Sequence, residues 1–438
     1  MESELISMGI ISIIPAVIAI VLSFATRNTI VSLTIACIAG TLLAGQGIFG
    51  FPTLLQNSLG TTSFSWVMLL NTFIGILVAY FQKTGAIQGF SQKVHEKNLS
   101  RRGAQLMAWV LGIFIHFSDS FSPLFVGSVM RSITDKAKVS REKLAYIADS
   151  TSAPVSVLMP ITGWAAYLMG LAVGVGCIAT TEDASRLFLR AIPFNFYPIF
   201  AVLFVGLLAS GIIKDFGPMK KAEKRAWEEG KVIRDGATPL IGKELTDMQP
   251  YPGLNPRVVL NFILPVFVII GIALGTYIAF DSAKTMEAFL FVVIIMTISM
   301  MIQGIPFKEV MNTLTDGVKG AIPAVMLLAV IFAVAAIMSF ATGSSWGTFA
   351  ICMPIALPLA FSFTDNQMSL LIVACFAAVA GGGVFGDHCS PLSDTTVLSS
   401  TGAASDHIDH VKTQLPYALI CGLLAFIAYL IIGIFFIQ

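Results

Sequence analysis

The feature that most limits what this chain can fold into is the grouping of its apolar residues into blocks of about 18 or more. A helix rises about 1.5 Å per residue, so such a block crosses roughly 30 Å of hydrocarbon. Of 438 residues, 56% are hydrophobic and 12% charged, against about 25% charged in ordinary soluble domains. Mean hydropathy is +0.85. Charge this sparse excludes a string of soluble domains, a disordered chain, a collagenous chain and a secreted disulfide scaffold. The expectation is an all-α polytopic protein of the cell membrane, with the lipid bilayer as a partner. Net charge is +1, and no basic face interleaved with aromatics recommends a nucleic acid.

The six cysteines lie in or beside apolar segments and form no CxxC pair. They read as small buried hydrophobes rather than zinc ligands or disulfides, and no cofactor is implied. Met1–Ser7 is acidic and lacks the cationic region and cleavage site of a signal peptide, so Met8–Ala25 reads as a retained first span. The other expected spans are Val31–Gly47, Ser63–Phe81, Ala104–Phe117 (short, then interrupted), Val155–Ala179, Asn195–Ile213, Val258–Phe280, Glu287–Gln303, Ala321–Ala341, Thr348–Phe361, Met368–Phe385 (then interrupted) and Leu415–Ile437. Lys214–Arg257 is the longest polar stretch, holds nine Lys/Arg and seven Asp/Glu, and reads as a solvated linker.

Placing that linker in the cytoplasm and tracing outward puts 22 of the 26 Lys and Arg inside, as the positive-inside bias requires. Arg186, Arg190, Lys284 and Lys412 fall outside. The amino terminus is then outside and the carboxyl terminus cytoplasmic. Both flanks of Ala104–Ser132 become cytoplasmic, yet two helical crossings need about 40 residues and this segment has 29. The economical solution is a re-entrant hairpin with its tip, around Asp119–Pro123, at membrane depth. Irregular backbone survives there only inside protein or beside a water-filled cavity.

The two halves resemble each other. Val67-Met-Leu-Leu70 recurs as Val325-Met-Leu-Leu328 and Thr84-Gly85 as Thr342-Gly343, both displaced by 258; Phe117–Leu124 recurs as Phe385–Leu392, displaced by 268, with the shared pattern F-x-D-x-x-S-P-L. The expected division is a first transmembrane repeat over 1–213, the linker over 214–257 and a second repeat over 258–438. With the linker inside, the repeats have inverted topology, a plan of secondary transporters with sites at broken helices near the midplane. The second hairpin, Met368–Thr401, then brings Asp387 toward Asp119.

A carboxylate in hydrocarbon costs several kcal/mol unless it is neutralised, paired or ion-bound. The candidates are Asp119, Asp149, Asp387 and Asp394. Asp119 and Asp387 each precede a Ser-Pro break, where proline frees carbonyl oxygens beside the carboxylate and the hydroxyls of Ser120, Ser122 and Ser390. One carboxylate with several neutral oxygens suits a hard monovalent cation, and a proton competes for the same group. The alternative for each, and for Asp149 at a membrane boundary, is a helix cap. The stretch Gly381–Thr396 is the richest, with glycines, two carboxylates, an imidazole and four hydroxyls. His388 reads equally as a proton carrier or substrate contact and as a satisfied structural histidine. Thr342–Thr348 is a second hydroxyl- and glycine-rich break, able to hold an ion or carboxylate or to serve as a plain turn. Asp406–His410 has a faintly metal-like pattern but reads as an exposed loop. Asn71 and His116 read as structural.

At Phe385–Gly402, with GDHCSPLSDTTVLSSTG, the chain resembles the NhaC-type sodium/proton antiporter family, and TGSSWGTFAICMP (Thr342–Pro354) looks like that family's other characteristic segment. The resemblance covers nearly the whole chain. It implies a place in the wider ion-transporter superfamily, with two inverted repeats, each carrying a re-entrant hairpin and a discontinuous helix. It further implies sodium coupling at Ser345, Thr348, Asp387, Ser390, Asp394 and Thr395. Such relatives include proton antiporters, exchangers of organic anions and amino-acid carriers, and His388-Cys389 after the aspartate departs from the antiporter pattern. The alternative to sodium/proton exchange is therefore a sodium- or proton-coupled carrier, a symporter or exchanger, of an amino acid or small carboxylate. An intramembrane aspartyl protease built on Asp119 and Asp387 is disfavoured because Val384-Phe-Gly-Asp387 lacks the G-x-G-D motif, and a passive channel fits inverted broken helices less well. A homodimer is compatible with such folds, although the sequence carries no interface signature.

Overall fold

The computed structural model describes residues 14–26, 29–59, 62–95, 99–116, 119–160, 162–240, 248–280, 284–338 and 345–435. Its helices are α1 (Ile14–Thr26), α2 (Thr29–Leu43), α3 (Gly50–Leu59), α4 (Thr62–Lys83), α5 (Ala86–His95), α6 (Arg101–Phe114), α7 (Phe121–Lys136), α8 (Arg141–Ser150), α9 (Ala153–Ser156), α10 (Gly163–Ala172), α11 (Thr181–Ala191), α12 (Phe196–Ser210) and α13 (Gly217–Glu228). A π-helical turn, Val259–Ile263, leads into α14 (Leu264–Phe280), followed by α15 (Thr285–Ile302), α16 (Phe307–Met338), α17 (Ser345–Ser362), α18 (Leu370–Cys389), α19 (Asp394–Ala403) and α20 (His407–Phe435). Among the described residues there is no strand, only an isolated bridge between Pro239 and Asp406.

The exterior is apolar, and many polar side chains are buried inside beside the apolar core, unlike the usual soluble protein. Phe267, Phe291, Ile294 and Ile298 on α14 and α15, and Leu423, Phe426, Leu430 and Ile434 on α20, are exposed, while Asp149, Ser150, Thr396, Ser399, Ser400 and His410 have no accessible surface. This is the arrangement that hydrocarbon solvent selects. By length and apolarity, α18 and α20 are each sufficient to cross a membrane; α11 with α12 make a third span if this pair, bent by 45°, is one span. Shorter apolar helical stretches are Thr34–Leu43, Met68–Lys83, Val259–Ala273, Met286–Ile302 and Cys352–Ser362.

Several expected spans break where local chemistry stops a helix. Val155–Ala179 is not one span. α9 ends at Ser156, the Thr162 hydroxyl caps α10 by accepting from the Ala165 amide at 3.3 Å, and α10 stops before Gly174 and Gly176, both with positive φ. Its ten residues reach about 15 Å, half the hydrocarbon thickness. Composition sees this segment as apolar and misses that Pro160, Thr162 and the glycines partition it. Likewise 181–191 is an amphipathic helix entered through a Thr180/Asp183 capping box. The first expected span, Met8–Ala25, lies partly outside the described residues.

The buried apolar residues form two clusters. The larger joins α2, α4, α7, α8, α14 and α15 and includes Tyr146, Val397 and Tyr417. The second joins α10, α11, α17 and α18 and includes Trp164, Phe349, Phe376 and Val384. The interrupted helices lie on the seam, since Val384 belongs to one cluster and Val397 to the other.

The segment read as a solvated linker is tied down in its first half. Glu142 of α8 accepts from Arg225 at 2.8 and 2.9 Å, Glu223 receives Arg101 at 2.7 Å and the Ser140 amide at 2.8 Å, and Lys143 pairs with Asp215. Arg234 donates to Asp409 at 2.6 Å, a bond that raises the pKa of its guanidinium. Four of the charges counted as solubilising, Asp215, Glu223, Arg225 and Arg234, thus fix the segment around α13 to α6, α8 and α20. The cysteines also differ from expectation: all are free, but only Cys37 and Cys421 are buried and Cys177 is exposed, because apolar segments here face lipid as often as protein.

Candidate functional site

The candidate site forms where α6, α8 and α18 stop and their continuations begin. At the first break, Asp119 precedes α7. Its Oδ1 accepts from the Ser120 amide at 2.9 Å and its Oδ2 from the Trp164 indole N–H at 2.8 Å. Trp164 packs edge-on against Phe349, ring centres 5.5 Å apart, which brings α17 and the neighbouring Thr348 to this tip. Ser122 lies in the first turn of α7, fully buried, and its hydroxyl has no hydrogen-bond partner among the described residues. The partner of Asp119 that sequence reasoning missed is Trp164. An indole N–H facing a carboxylate across 45 positions leaves no local signal.

At the second break, α18 runs past the expected end at Phe385 and carries Asp387 and His388 in its last turn. Asp387 is 9% exposed. Its Oδ1 accepts from Ser393 at 2.8 Å and its Oδ2 from Thr395 at 3.2 Å. Pro391 cannot continue the helix, so the chain turns through Ser390–Ser393 and restarts as α19. There Ser393 caps the new helix through the Thr396 amide. Asp394 opens α19, is partly exposed, and accepts from its neighbour Thr395 N–H at 3.0 Å. Ser390 turns away, its hydroxyl accepting from Leu392 N–H at 3.0 Å. Asp119, Asp387 and Asp394 lie within electrostatic reach of one another. Of the candidate oxygens the structure therefore joins Thr395 to Asp387 directly, and adds Ser393.

The third carboxylate is inside the protein rather than at a boundary. Asp149, with no accessible surface, closes α8. Its Oδ2 accepts from Gln414 at 2.8 Å and faces His410 Nε2 at 3.2 Å, while its Oδ1 has no partner. The same Gln414 amide donates to the His388 carbonyl. His388 is held on both ring nitrogens, by Ser150 at 3.0 Å and by the Tyr197 hydroxyl at 2.7 Å. Asp149, Gln414 and the backbone next to Asp387 thus form one continuous polar network across both halves of the chain.

Asp406–His410 is not an exposed loop. Asp406, His407 and His410 are buried at the start of α20. His407 bonds Ser400 at 3.0 Å and the Pro391 carbonyl at 2.8 Å, bracing the second break from behind. The motif spacing looked metal-like because i, i+3 residues share a helix face, but that face turns to Ser400, Pro391 and Asp149. Among the described residues no group of three or more His, Cys, Asp and Glu is arranged to hold a metal ion. Residues 342–344 of the glycine-rich break lie outside the described residues, as do the side chains of Ser345 and Asn71. Thr348 is described, partly buried in the first turn of α17.

Two close approaches fix the site helices. A Cβ on Gly402 of α19 would lie 2.5 Å from the Pro123 carbonyl oxygen, and one on Gly127 of α7 would lie 2.5 Å from the Ala403 amide nitrogen. The helices following the two breaks are therefore in backbone contact.

Comparison with known proteins adds a family. The model of the Na+/H+ antiporter family matches residues 155–330 and 320–434. A Haemophilus influenzae protein described only as uncharacterised is 31% identical over 98% of this chain and 91% of its own length. An uncharacterised Na+/H+ antiporter of the same organism is 31% identical over 35% of this chain and 31% of its own. A malate-2H+/Na+-lactate antiporter of Bacillus subtilis is 32% identical over 25% of this chain and 22% of its own.

Proposed function

The chain belongs to the Na+/H+ antiporter family and is a secondary transporter, not an enzyme; from that premise we propose that it exchanges sodium for protons by alternating access at its interrupted helices. One observation carries the reading. Asp387 is a nearly buried carboxylate at the end of a membrane-length helix, with both oxygens on hydroxyls of the restarting chain. A sodium ion would take Asp387 with Thr395 and Ser393, helped by Thr348 and Ser345 from the start of α17. Ser390 and Asp394 complete the segment, and Asp119 with Ser120 and Ser122 supplies the opposite half-site. A proton on the same carboxylate displaces the ion. Asp149, joined through Gln414 to the backbone beside Asp387, stands ready to hold a second proton. His388, occupied on both nitrogens, positions this network.

In this reading 1–213 and 258–438 are inverted repeats with the 214–257 linker in the cytoplasm, the amino terminus is outside, and 104–132 and 368–401 are the re-entrant hairpins. The backbone contact of α7 with α19 supports pairing the two breaks.

The test uses purified protein in sealed liposomes with a pH-sensitive dye inside and an imposed sodium gradient. Proton movement on sodium alone, abolished in a folded Asp387→Asn variant, is the expected result. Normal sodium-driven turnover in that variant overturns the assignment of Asp387. A second reading, a sodium- or proton-coupled carrier of a small carboxylate or amino acid, is favoured by the malate-lactate relative and by polar equipment beyond what a bare ion needs. It predicts silence on sodium alone and a response once one organic solute is added.

A further inference from the structure

Away from the carboxylates, at the end of the α6–α12 helix pair, lies an open cavity of about 380 Å³ with Arg101, Arg102, Lys214, Lys220 and Lys224 on its wall. Most of the acidic groups around it are already committed. Glu223 takes Arg101 at 2.7 Å, Glu228 faces Lys224 at 3.7 Å, and Asp215 takes Lys143. Arg102, Lys214 and Lys220 are exposed and have no acidic partner among the described residues. Three uncompensated cations thus converge on one concavity. Gln105 on the same wall is 5% exposed, and its buried amide oxygen accepts no hydrogen bond from the described residues.

The surroundings show what kind of anion fits. Arg102 lies against Gly211, and further along Trp109 lies against Gly206, so α6 and α12 run antiparallel away from the cavity. Val110 and Phe114 of α6 and Leu203 and Leu207 of α12 are exposed along that pair, facing lipid. At the cavity rim Trp227, 56% exposed, lies under the Arg101 guanidinium with 5.1 Å to the ring centre. An amphipathic indole beside cations is the signature of the membrane–water boundary. A charged pocket at headgroup level that opens onto an apolar helix pair matches a molecule with an anionic head and acyl tails. Basic pockets between transmembrane helices bind such heads.

We infer that this cavity is a binding site for an anionic glycerophospholipid. Its phosphate lies among Arg102, Lys214 and Lys220, and its acyl chains follow the α6–α12 pair. The site is independent of which ion or solute the transporter carries.

The test is native mass spectrometry of the full-length protein in mild detergent, titrated with phosphatidylglycerol or with phosphatidylcholine. Each basic residue near a membrane surface is worth about fivefold in anionic-lipid binding. The triple variant Arg102→Gln/Lys214→Gln/Lys220→Gln is therefore expected to retain phosphatidylglycerol at least tenfold less well, at an unchanged lipid-free melting temperature. Lys308→Gln/Lys319→Gln, which removes two exposed cations elsewhere, leaves retention unchanged. If the triple variant does not fold, Lys220→Glu alone, on the exposed face of α13, must lower retention. Equal retention in the charge variants, or retention of phosphatidylcholine as strong as of phosphatidylglycerol, overturns the proposal. So does displacement of the lipid by millimolar inorganic phosphate, which would make this a free-anion site.

Discussion

A single methyl group at Gly402 tests whether backbone contact between α7 and α19 holds the site together. A Cβ there would sit 2.5 Å from the Pro123 carbonyl oxygen and 2.9 Å from Leu124 Cα, whereas ordinary contact begins at 3.4 Å. The obstacle is backbone, which cannot step aside as a side-chain tip can, so α19 must retreat by about 0.9 Å. Overpacking of this kind costs about 1–3 kcal/mol. Gly402→Ala is expected to lower the apparent melting temperature of the purified protein by several degrees. It should also weaken sodium-driven proton movement, because α19 carries Thr395 and is capped by Ser393, both bonded to Asp387. Gly127→Ala should act alike. The double variant should lose less than the two singles together, since one separation of the helices relieves both clashes. Gly382→Ala and Gly386→Ala meet nothing within 4 Å and lie in α18, where alanine is favoured over glycine by about 1 kcal/mol, so their melting temperatures should hold or rise. A Gly402→Ala protein that melts with the wild type, or a Gly386→Ala protein that loses as much, would refute the reasoning.

Other expectations follow from single contacts. Trp164→Phe keeps the ring near Phe349 but removes the donor to Asp119. A charge-assisted bond of this kind contributes about 1.5–3 kcal/mol, so melting should fall modestly while apparent sodium affinity shifts severalfold; unchanged affinity would detach Asp119 from the site. Ser122→Ala removes a buried hydroxyl that bonds nothing among the described residues, so stability should be unaffected, and any loss of sodium affinity would mark that oxygen as a ligand. Glu142→Gln leaves Arg225 without its carboxylate. Loss of about 3–5 kcal/mol should appear as a lower melting temperature, and restoration of stability by Arg225→Met in the same background would confirm that the cost is an unpaired charge.

The membrane class, the two interrupted helices and three of the four carboxylates' settings are legible in the sequence because they rest on local chemistry. Pro123 and Pro391 act on their own turns, and a buried charge in an apolar block announces itself. What is not legible depends on partners far along the chain. Trp164, Gln414 and His410 reach Asp119 or Asp149 across 45 to 265 positions, and no periodicity encodes such meetings. The 155–179 block misleads because average apolarity hides a helix stop made by Pro160 and Thr162. The 214–240 charges mislead because a pattern of mixed signs looks the same whether the partner is water or α8.

The seam between the two apolar clusters has a mechanical consequence. α13 is tied to α8 and to Arg101, and its Met219 packs in the larger cluster, so the long connection rides with that body. The polypeptide passes from one cluster to the other between Ala148 and Ala153, between Val310 and Phe349 and between Val384 and Val397, besides the shared helices α12 and α20. Of these passages, 151–152 and 390–393 lie between helices, and Asp149, Asp387 and the capping hydroxyls stand in them or next to them. In the proposed function, the joint of a rocking motion and the seat of the ion are then the same few residues. On that proposal an ion need transmit nothing over a distance to gate the protein: by choosing which oxygens it gathers, it would set the angle at which the two bodies meet.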